Sequence, residues 1–244
     1  MDTPEHHPSS PVLLDTGRVR AITLDLDDTL WPIWPTIARA EQVLLDWLAA
    51  HAPATADWCA DTDRWKAVRA AMAHSHPELA HDLSALRRES IRTALVQAGD
   101  DPSLAEPAFD VFFAARQQVE LFEDALPALQ RLSARFPVVA LSNGNADIGK
   151  VGIAMHFRGS VSARECGVAK PDARIFHVAA DVAGVAPGEV LHVGDDALLD
   201  GVGALRAGMQ LAWVNRADHV WDHDPWQPHT TVPDLLALCR LLGV

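Results

Sequence analysis

Two aspartates two residues apart, Asp25-Leu26-Asp27, followed at once by Asp28 and Thr29, form the densest group of chemically useful side chains in this 244-residue chain. Alternation along an extended backbone places Asp25 and Asp27 on the same side. Carboxylates held together repel, so the pair needs a proton or a cation. A hard divalent ion such as Mg²⁺ meets that need, and Asp195, Asp196 and Asp200 in the run Gly194 to Asp200 offer further oxygens. Ser142-Asn143-Gly144-Asn145 adds a hydroxyl and flexible backbone N–H groups of the kind that cradle a phosphate near a helix N-terminus. Lys170 adds an ammonium group, and Pro171 after it suits the first position of a helix that Lys170 would open. Carboxylates, hydroxyl and ammonium together suit a phosphoryl group and its metal. Each fragment alone also fits an ordinary turn or helix cap.

These groups stand where apolar runs end. Val19 to Asp25, Phe136 to Ser142 and Glu189 to Asp195 each read as a buried strand delivering a polar group at its C-terminal end, and Met209 to Asn215 reads as a further strand. Helical stretches lie between them, near 124–135, 172–184 and 197–207. Strands alternating with helices predict an α/β fold with a parallel sheet covered on both faces, and in such sheets ligands bind at the carboxyl ends of strands. Residues 33–120 differ, with helical patterns over Thr36 to Ala50, Asp63 to His74, His81 to Ala98 and Ser103 to Leu121, and breaks at Pro53, Pro77 and Pro102. The expected organisation is a core made of residues 1–32 and 121–244 with an all-helical insert at 33–120. Residues 1 to about 17, polar and Pro-rich, read as a mobile lead-in.

Composition limits the partners. Twenty Lys and Arg against 33 Asp and Glu give a net charge of −13, which argues against a nucleic-acid binder but leaves room for an anionic small molecule beside a metal or a local cation. Only Lys66, Lys150 and Lys170 are lysines, and of these only Lys170 has chemical company; Lys66 and Lys150 are expected to be solvated. Most of the 12 histidines, including His6-His7, lack metal-ligand spacing and are expected on the surface or in loops. Three scattered cysteines, no signal-peptide pattern and no long apolar window predict a soluble cytoplasmic protein without a membrane partner. Oligomeric state is not legible.

The four fragments, D-x-D-x-T at Asp25 to Thr29, the serine at Ser142, the lysine at Lys170 and G-D-D-x-x-x-D at Gly194 to Asp200, occur in the order found in the haloacid dehalogenase (HAD) superfamily, which the chain resembles from residue 19 onward. The resemblance implies a Rossmann-like core with an inserted helical cap that closes over the site. It also implies that Asp25 is the nucleophile that forms an aspartyl-phosphate and that Asp27 is the acid and then the base. Mg²⁺ would sit on the Asp25 carboxylate, the Asp27 carbonyl and Asp195. Ser142, with Asn143 and Gly144, would bind the phosphoryl group, Lys170 would offset charge, and Thr29, Asp196 and Asp200 would brace and orient these groups.

Asp27 favours a phosphatase over the superfamily's carbon–halogen hydrolases, whose halide leaving group needs no proton. Ile22 to Leu30, Leu141 to Ala146 and Leu191 to Asp196, with Gly203 to Gln210, resemble bacterial flavin mononucleotide (FMN) phosphatases, a group that also dephosphorylates 5-amino-6-(5-phospho-D-ribitylamino)uracil. A broad sugar, nucleotide or phosphoglycolate phosphatase, a 2-haloacid dehalogenase and a non-catalytic binding protein are the rival readings. In the insert, residues 64–92 hold six basic residues against three acids, and Arg87, with Arg88, is expected either to face the substrate or to lie on a solvated face. Trp31 and Trp34 would line the entrance or pack; Trp47, Trp58 and Trp65 would pack.

Overall fold

The computed structural model describes residues 13–244. Six strands, β1 (Ala21–Leu24), β2 (Val138–Ser142), β3 (Gly159–Ser162), β4 (Val190–Gly194), β5 (Gln210–Val214) and β6 (Thr230–Val232), form one parallel sheet in the order β3-β2-β1-β4-β5-β6. The four inner strands are buried throughout, as apolar runs in a parallel sheet covered on both faces must be. The edge strands β3 and β6 were not expected. Gly-Ser-Val-Ser and Thr-Thr-Val bury one residue each, so no apolar run marks them.

Between β1 and β2 the chain forms α1 (Ile33–His51), α2 (Pro53–Cys59), α3 (Thr62–Ser75), α4 (Leu83–Ala98) and α5 (Ala105–Arg116), then α6 (Ala125–Arg135). The break expected at Pro53 is present: α1 ends at His51, Ala52 leaves the helical conformation, and Pro53 starts α2, where its missing N–H costs nothing. Ala40, Leu44 and Leu48 of α1 recur every four residues and meet Ile91, Ala94 and Leu95 of α4 and Ala108, Phe109 and Phe112 of α5. Each fully buried leucine there contributes roughly 1.5–3 kcal/mol. The helical layer thus has an apolar core of its own.

After β2 come α7 (Ile148–Val151), α8 (Ala163–Cys166), α9 (Ala173–Ala183), α10 (Gly203–Arg206) and α11 (Leu235–Leu242). Strand alternation divides the sheet's faces. Ile22, Leu24, Val138, Ala140, Leu191 and Val193 pack on α6 and α11, while Ala21, Val139, Leu141 and Val190 pack on α9. Pro171 does not open α9: Asp172 is its N-cap, accepting from the Arg174 N–H, and the Lys170–Pro171 peptide before it is cis. The expected mobile lead-in falls partly outside the described residues, as does His6-His7. Leu14 and Asp15, however, are tied to the sheet, donating N–H bonds to the His229 carbonyl and Gln210 Oε1. Among the described residues no helix is long and apolar enough to cross a membrane.

Candidate active site

The strand order reverses between β1 and β4, and the crevice beyond the carboxyl ends of such strands is where α/β sheets bind ligands. Asp25 continues β1, its N–H donating to the Val193 carbonyl. Alternation from Ala21 and Thr23 turns its side chain to the α9 face. There Lys170, just ahead of α9, donates to Asp25 Oδ1 and to Asp200 Oδ1, both at 2.5 Å. Asp195, at the end of β4, accepts from Thr29 Oγ at 2.9 Å.

Asp200 reaches the cluster because residues Ala197–Val202 form a π-helical turn, with Gly201 N–H donating to the Asp196 carbonyl. Such turns recur at functional sites. The turn folds the Asp200 carboxylate back over Gly194, where a Cβ would lie 2.3 Å from Asp200 Cγ; only glycine admits that approach. Asp196 is exposed and caps the turn, accepting from the Leu198 and Leu199 N–H groups.

Oxygens of Asp25, Asp195 and Asp200 lie within 4.8 Å of one another, and one buried ammonium faces these three carboxylates. Burial pushes the Asp25 carboxyl well up, Lys170 opposes this, and Asp200 and Asp195 add to it. Burial and then Asp200 push Asp195 up to about 7. Asp200, despite its burial, is held low by Lys170 and His192, and Lys170 is raised by Asp200 and Asp25 against its own burial. The surplus negative charge on hard oxygen donors is what a Mg²⁺ ion fits, with Asp25 and Asp195 as the carboxylates not already committed to two partners.

The loop after β2 is built for close approach. Ser142 Oγ accepts from the Gly144 N–H at 2.9 Å. The Asn143 side chain donates to the Lys170 carbonyl and accepts from the Lys170 N–H, locking the loop to the lysine's backbone. A Cβ on Gly144 would stand 2.4 Å from Asp27 Oδ2. Asp27 itself lies apart from the carboxylate cluster: Arg116 Nη2 donates to both its oxygens at 2.7 Å and Trp31 Nε1 donates to Oδ1 at 2.8 Å. Beside this loop opens a cavity of about 510 Å³, walled by Asn143 to Ile148, by Ser160, Ser162 and Arg164, and by Ser84 and Phe113 of the helical layer.

Residues 19–208 match the family model described as haloacid dehalogenase-like hydrolase. The chain belongs to that family. It is 32% identical over 93% of its length, and 97% of the relative's, to the 5-amino-6-(5-phospho-D-ribitylamino)uracil phosphatase YigB of Escherichia coli (strain K12). It is 27% identical to N-acylneuraminate-9-phosphatase of Rattus norvegicus, covering 93% and 94% of the two chains. A solved structure of 2-haloacid dehalogenase from Pseudomonas syringae pv. Tomato DC3000 superposes with a TM-score of 0.85 at 35% identity, covering 92% of this chain and 98% of that one. This HAD-like hydrolase is thus an enzyme, and its curated relatives are phosphoric monoester hydrolases.

In this HAD-like enzyme Arg87 and Arg88 stand away from their expected places, while Trp65, Lys66 and Lys150 stand as expected. Arg87 does not line the cavity: it donates to Glu41 at 2.6 Å, an acceptor shared with Arg69, and stacks over Phe112. Arg88 pairs with Glu106 and covers Phe109. Trp31 is fully buried as a donor to Asp27, whereas Trp34 is 76% exposed. Trp65 packs and donates to Glu41. Lys66 and Lys150 are exposed, with the Lys150 ammonium over Phe113.

Two site residues escaped the sequence reading. His192 lies within β4 and is fully buried, with Nδ1 2.9 Å from Thr23 Oγ and Nε2 3.1 Å from Asp200 Oδ1. Burial holds its pKa down. As Asp200 can only accept, Nε2 carries the hydrogen of the neutral ring and Nδ1 accepts from Thr23. Its one mark in the sequence is a polar residue inside an apolar strand. Arg116, the other, carries no motif.

Proposed function

We propose that the protein is a Mg²⁺-dependent phosphatase that hydrolyses a small phosphate monoester through a phosphorylated Asp25, with FMN or 5-amino-6-(5-phospho-D-ribitylamino)uracil as substrate. The observation that carries this reading is the division of labour among carboxylates. Asp25 sits in a buried, electrostatically overloaded cluster beside Lys170, while Asp27 stands apart on its own donors. That is the separation a nucleophile and an acid–base group require.

An Asp25 oxygen attacks phosphorus, the bond to the leaving oxygen breaks, and that oxygen takes a proton from Asp27. Asp27 then takes a proton from the water that attacks the phosphorus of phospho-Asp25. Phosphate leaves and Asp25 is restored. Ser142 and the N–H groups of its loop bind the equatorial oxygens, and Lys170 offsets charge on the nucleophile and the phosphoryl group. Asp25, Asp195 and the Asp27 carbonyl would hold a Mg²⁺ ion, which would supply Lewis-acid stabilisation of the phosphoryl oxygens. Helices α1 to α5, from 33 to about 120, act as the cap that excludes water and reads the leaving group beside Phe113 and Ser84.

The substrate class rests on the YigB relative and on the core stretches around Asp25, Ser142 and Asp195. The 35% identity to a 2-haloacid dehalogenase supports a second reading, halide release. Phosphate release from FMN, the ribitylaminouracil phosphate, sugar phosphates and phosphoglycolate, with halide release from a 2-haloacid, separates them. The expected result is Mg²⁺-dependent phosphate release that Asp25→Asn abolishes. Turnover in excess chelator, undiminished turnover in that variant, or halide release alone overturns the proposal.

A further inference from the structure

We infer that Arg116 is the positioning residue that holds Asp27 in reacting register with the phosphate-binding loop, and that Asn145 transmits this register. The inference rests on the phosphatase reading above.

Arg116 is the last residue of α5, where the helical layer returns to the sheet, and its side chain is 1% exposed. Every assigned contact of its guanidinium goes to a loop of the site. Nη2 donates to both carboxylate oxygens of Asp27 at 2.7 Å, and Nε donates to Asn145 Oδ1 at 3.1 Å. Asn145 follows Ser142-Asn-Gly directly, and its amide nitrogen donates in turn to Ser84 Oγ at the start of α4. Gln117 repeats the tie, donating to the Asn145 carbonyl and accepting from the Asp147 N–H. Two adjacent residues of one helix end therefore fix the Asp27 loop and the phosphate loop relative to each other.

The arrangement is costly if it serves stability alone. A buried ion pair seldom outperforms well-packed apolar residues of the same volume, and Nη1 of Arg116 is buried with no partner. Asp27, by contrast, keeps 21% of its side chain exposed, so the pinned side chain is not sealed from solvent as Arg116 is. Both Asp27 oxygens are held by the one nitrogen Nη2, which fixes the carboxylate's place, and the Trp31 Nε1 bond to Oδ1 limits its rotation about that contact. Displacing a catalytic group by about 1 Å costs on the order of 100-fold in rate.

The test is a leaving-group comparison in the full-length protein with Mg²⁺. One substrate is the fastest alkyl monoester of the panel above, whose alkoxide must be protonated as it leaves. The other is 4-nitrophenyl phosphate, whose phenolate leaves with little help. Arg116→Gln is expected to lower the single-turnover rate of leaving-group release by ~100-fold for the alkyl ester and by less than ~5-fold for the aryl ester, as loss of a placed acid does, and to slow steady-state turnover of both, because Asp27 is also the base that hydrolyses phospho-Asp25. KM stays within about threefold, and Arg116→Lys recovers roughly tenfold of the alkyl loss by restoring one charged donor. Asp27→Asn shows the same split.

Equal losses in the single-turnover release of the two leaving groups at matched folded fraction, or an undiminished alkyl release rate, overturn the inference. Should the Arg116 variants fail to fold, Asn145→Ala leaves the arginine in place and must still show the split; equal losses there also overturn it. If the wild-type protein releases phosphate from neither ester, it is the phosphatase reading that fails, before any variant is made.

Discussion

Gly144→Ala tests the closeness of the phosphate loop to Asp27. The Cβ it adds would lie 2.4 Å from Asp27 Oδ2, 3.1 Å from Ser142 Oγ and 3.4 Å from Arg116 Nη2. Asp27 cannot simply swing away, because Arg116 holds both of its oxygens and Trp31 holds one. The loop and the carboxylate must therefore part by about 1 Å to reach ordinary contact, and a misplacement of that size costs ~100-fold in turnover. At 1.36 kcal/mol per decade this is about 2.7 kcal/mol of lost transition-state stabilisation. Overpacking one methyl group costs about 1–3 kcal/mol of stability, or roughly 2–12 °C in Tm for a chain of this size, so the variant stays folded at assay temperature. Steady-state phosphate release at 25 °C beside a thermal melt separates the two effects. A Gly144→Ala enzyme within about threefold of wild-type kcat would refute the close-approach argument, since the methyl group would then be accommodated without moving the reacting groups.

Two further outcomes follow from groups that do not touch the nucleophile directly. His192→Leu strands the Thr23 hydroxyl and removes a donor from the buried Asp200. One orphaned buried group costs ~1–3 kcal/mol, so Tm should fall by roughly 2–12 °C, and an unchanged Tm would contradict the hydrogen-bond chain. Burial raises the Asp124 carboxyl, but Arg216 and the Leu235 N–H outweigh it and hold the group below its usual value. A depressed carboxylate adds stability above its unfolded pKa of about 3.9 that is lost as pH falls through the folded value. The acid limb of Tm against pH should therefore be shallower in Arg216→Met; identical limbs would place the acid lability elsewhere.

What the sequence disclosed, and what it hid, follow the range of the interactions involved. The inner strands and the helices carry their own signal, because burial on both faces or on one stripe writes a local pattern of residue types. The edge strands β3 and β6 bury Val161 and Val232 alone, so only their pairing with β2 and β5 makes them strands. The motif residues were legible because each sits at the end of such an element, but their partners were not. Lys170 meets Asp25 across 145 positions, and Arg116 meets Asp27 across 89.

Arg87 and Arg116 mark this limit. Both are arginines on amphipathic helices of the same layer, and sequence reading preferred Arg87 because basic residues surround it. In the fold that local excess of charge is met by Glu41, which accepts from both Arg69 and Arg87 at 2.5 and 2.6 Å. Arg116 is isolated in sequence and sits on the buried face of α5 with Phe109 and Phe112. An arginine at a core position is expensive unless a partner waits there. Charge density along a chain therefore reports which cations will be neutralised by neighbours, whereas a lone cation at a position that periodicity assigns to the interior reports that the fold must bring an acid to it. Here that acid is Asp27.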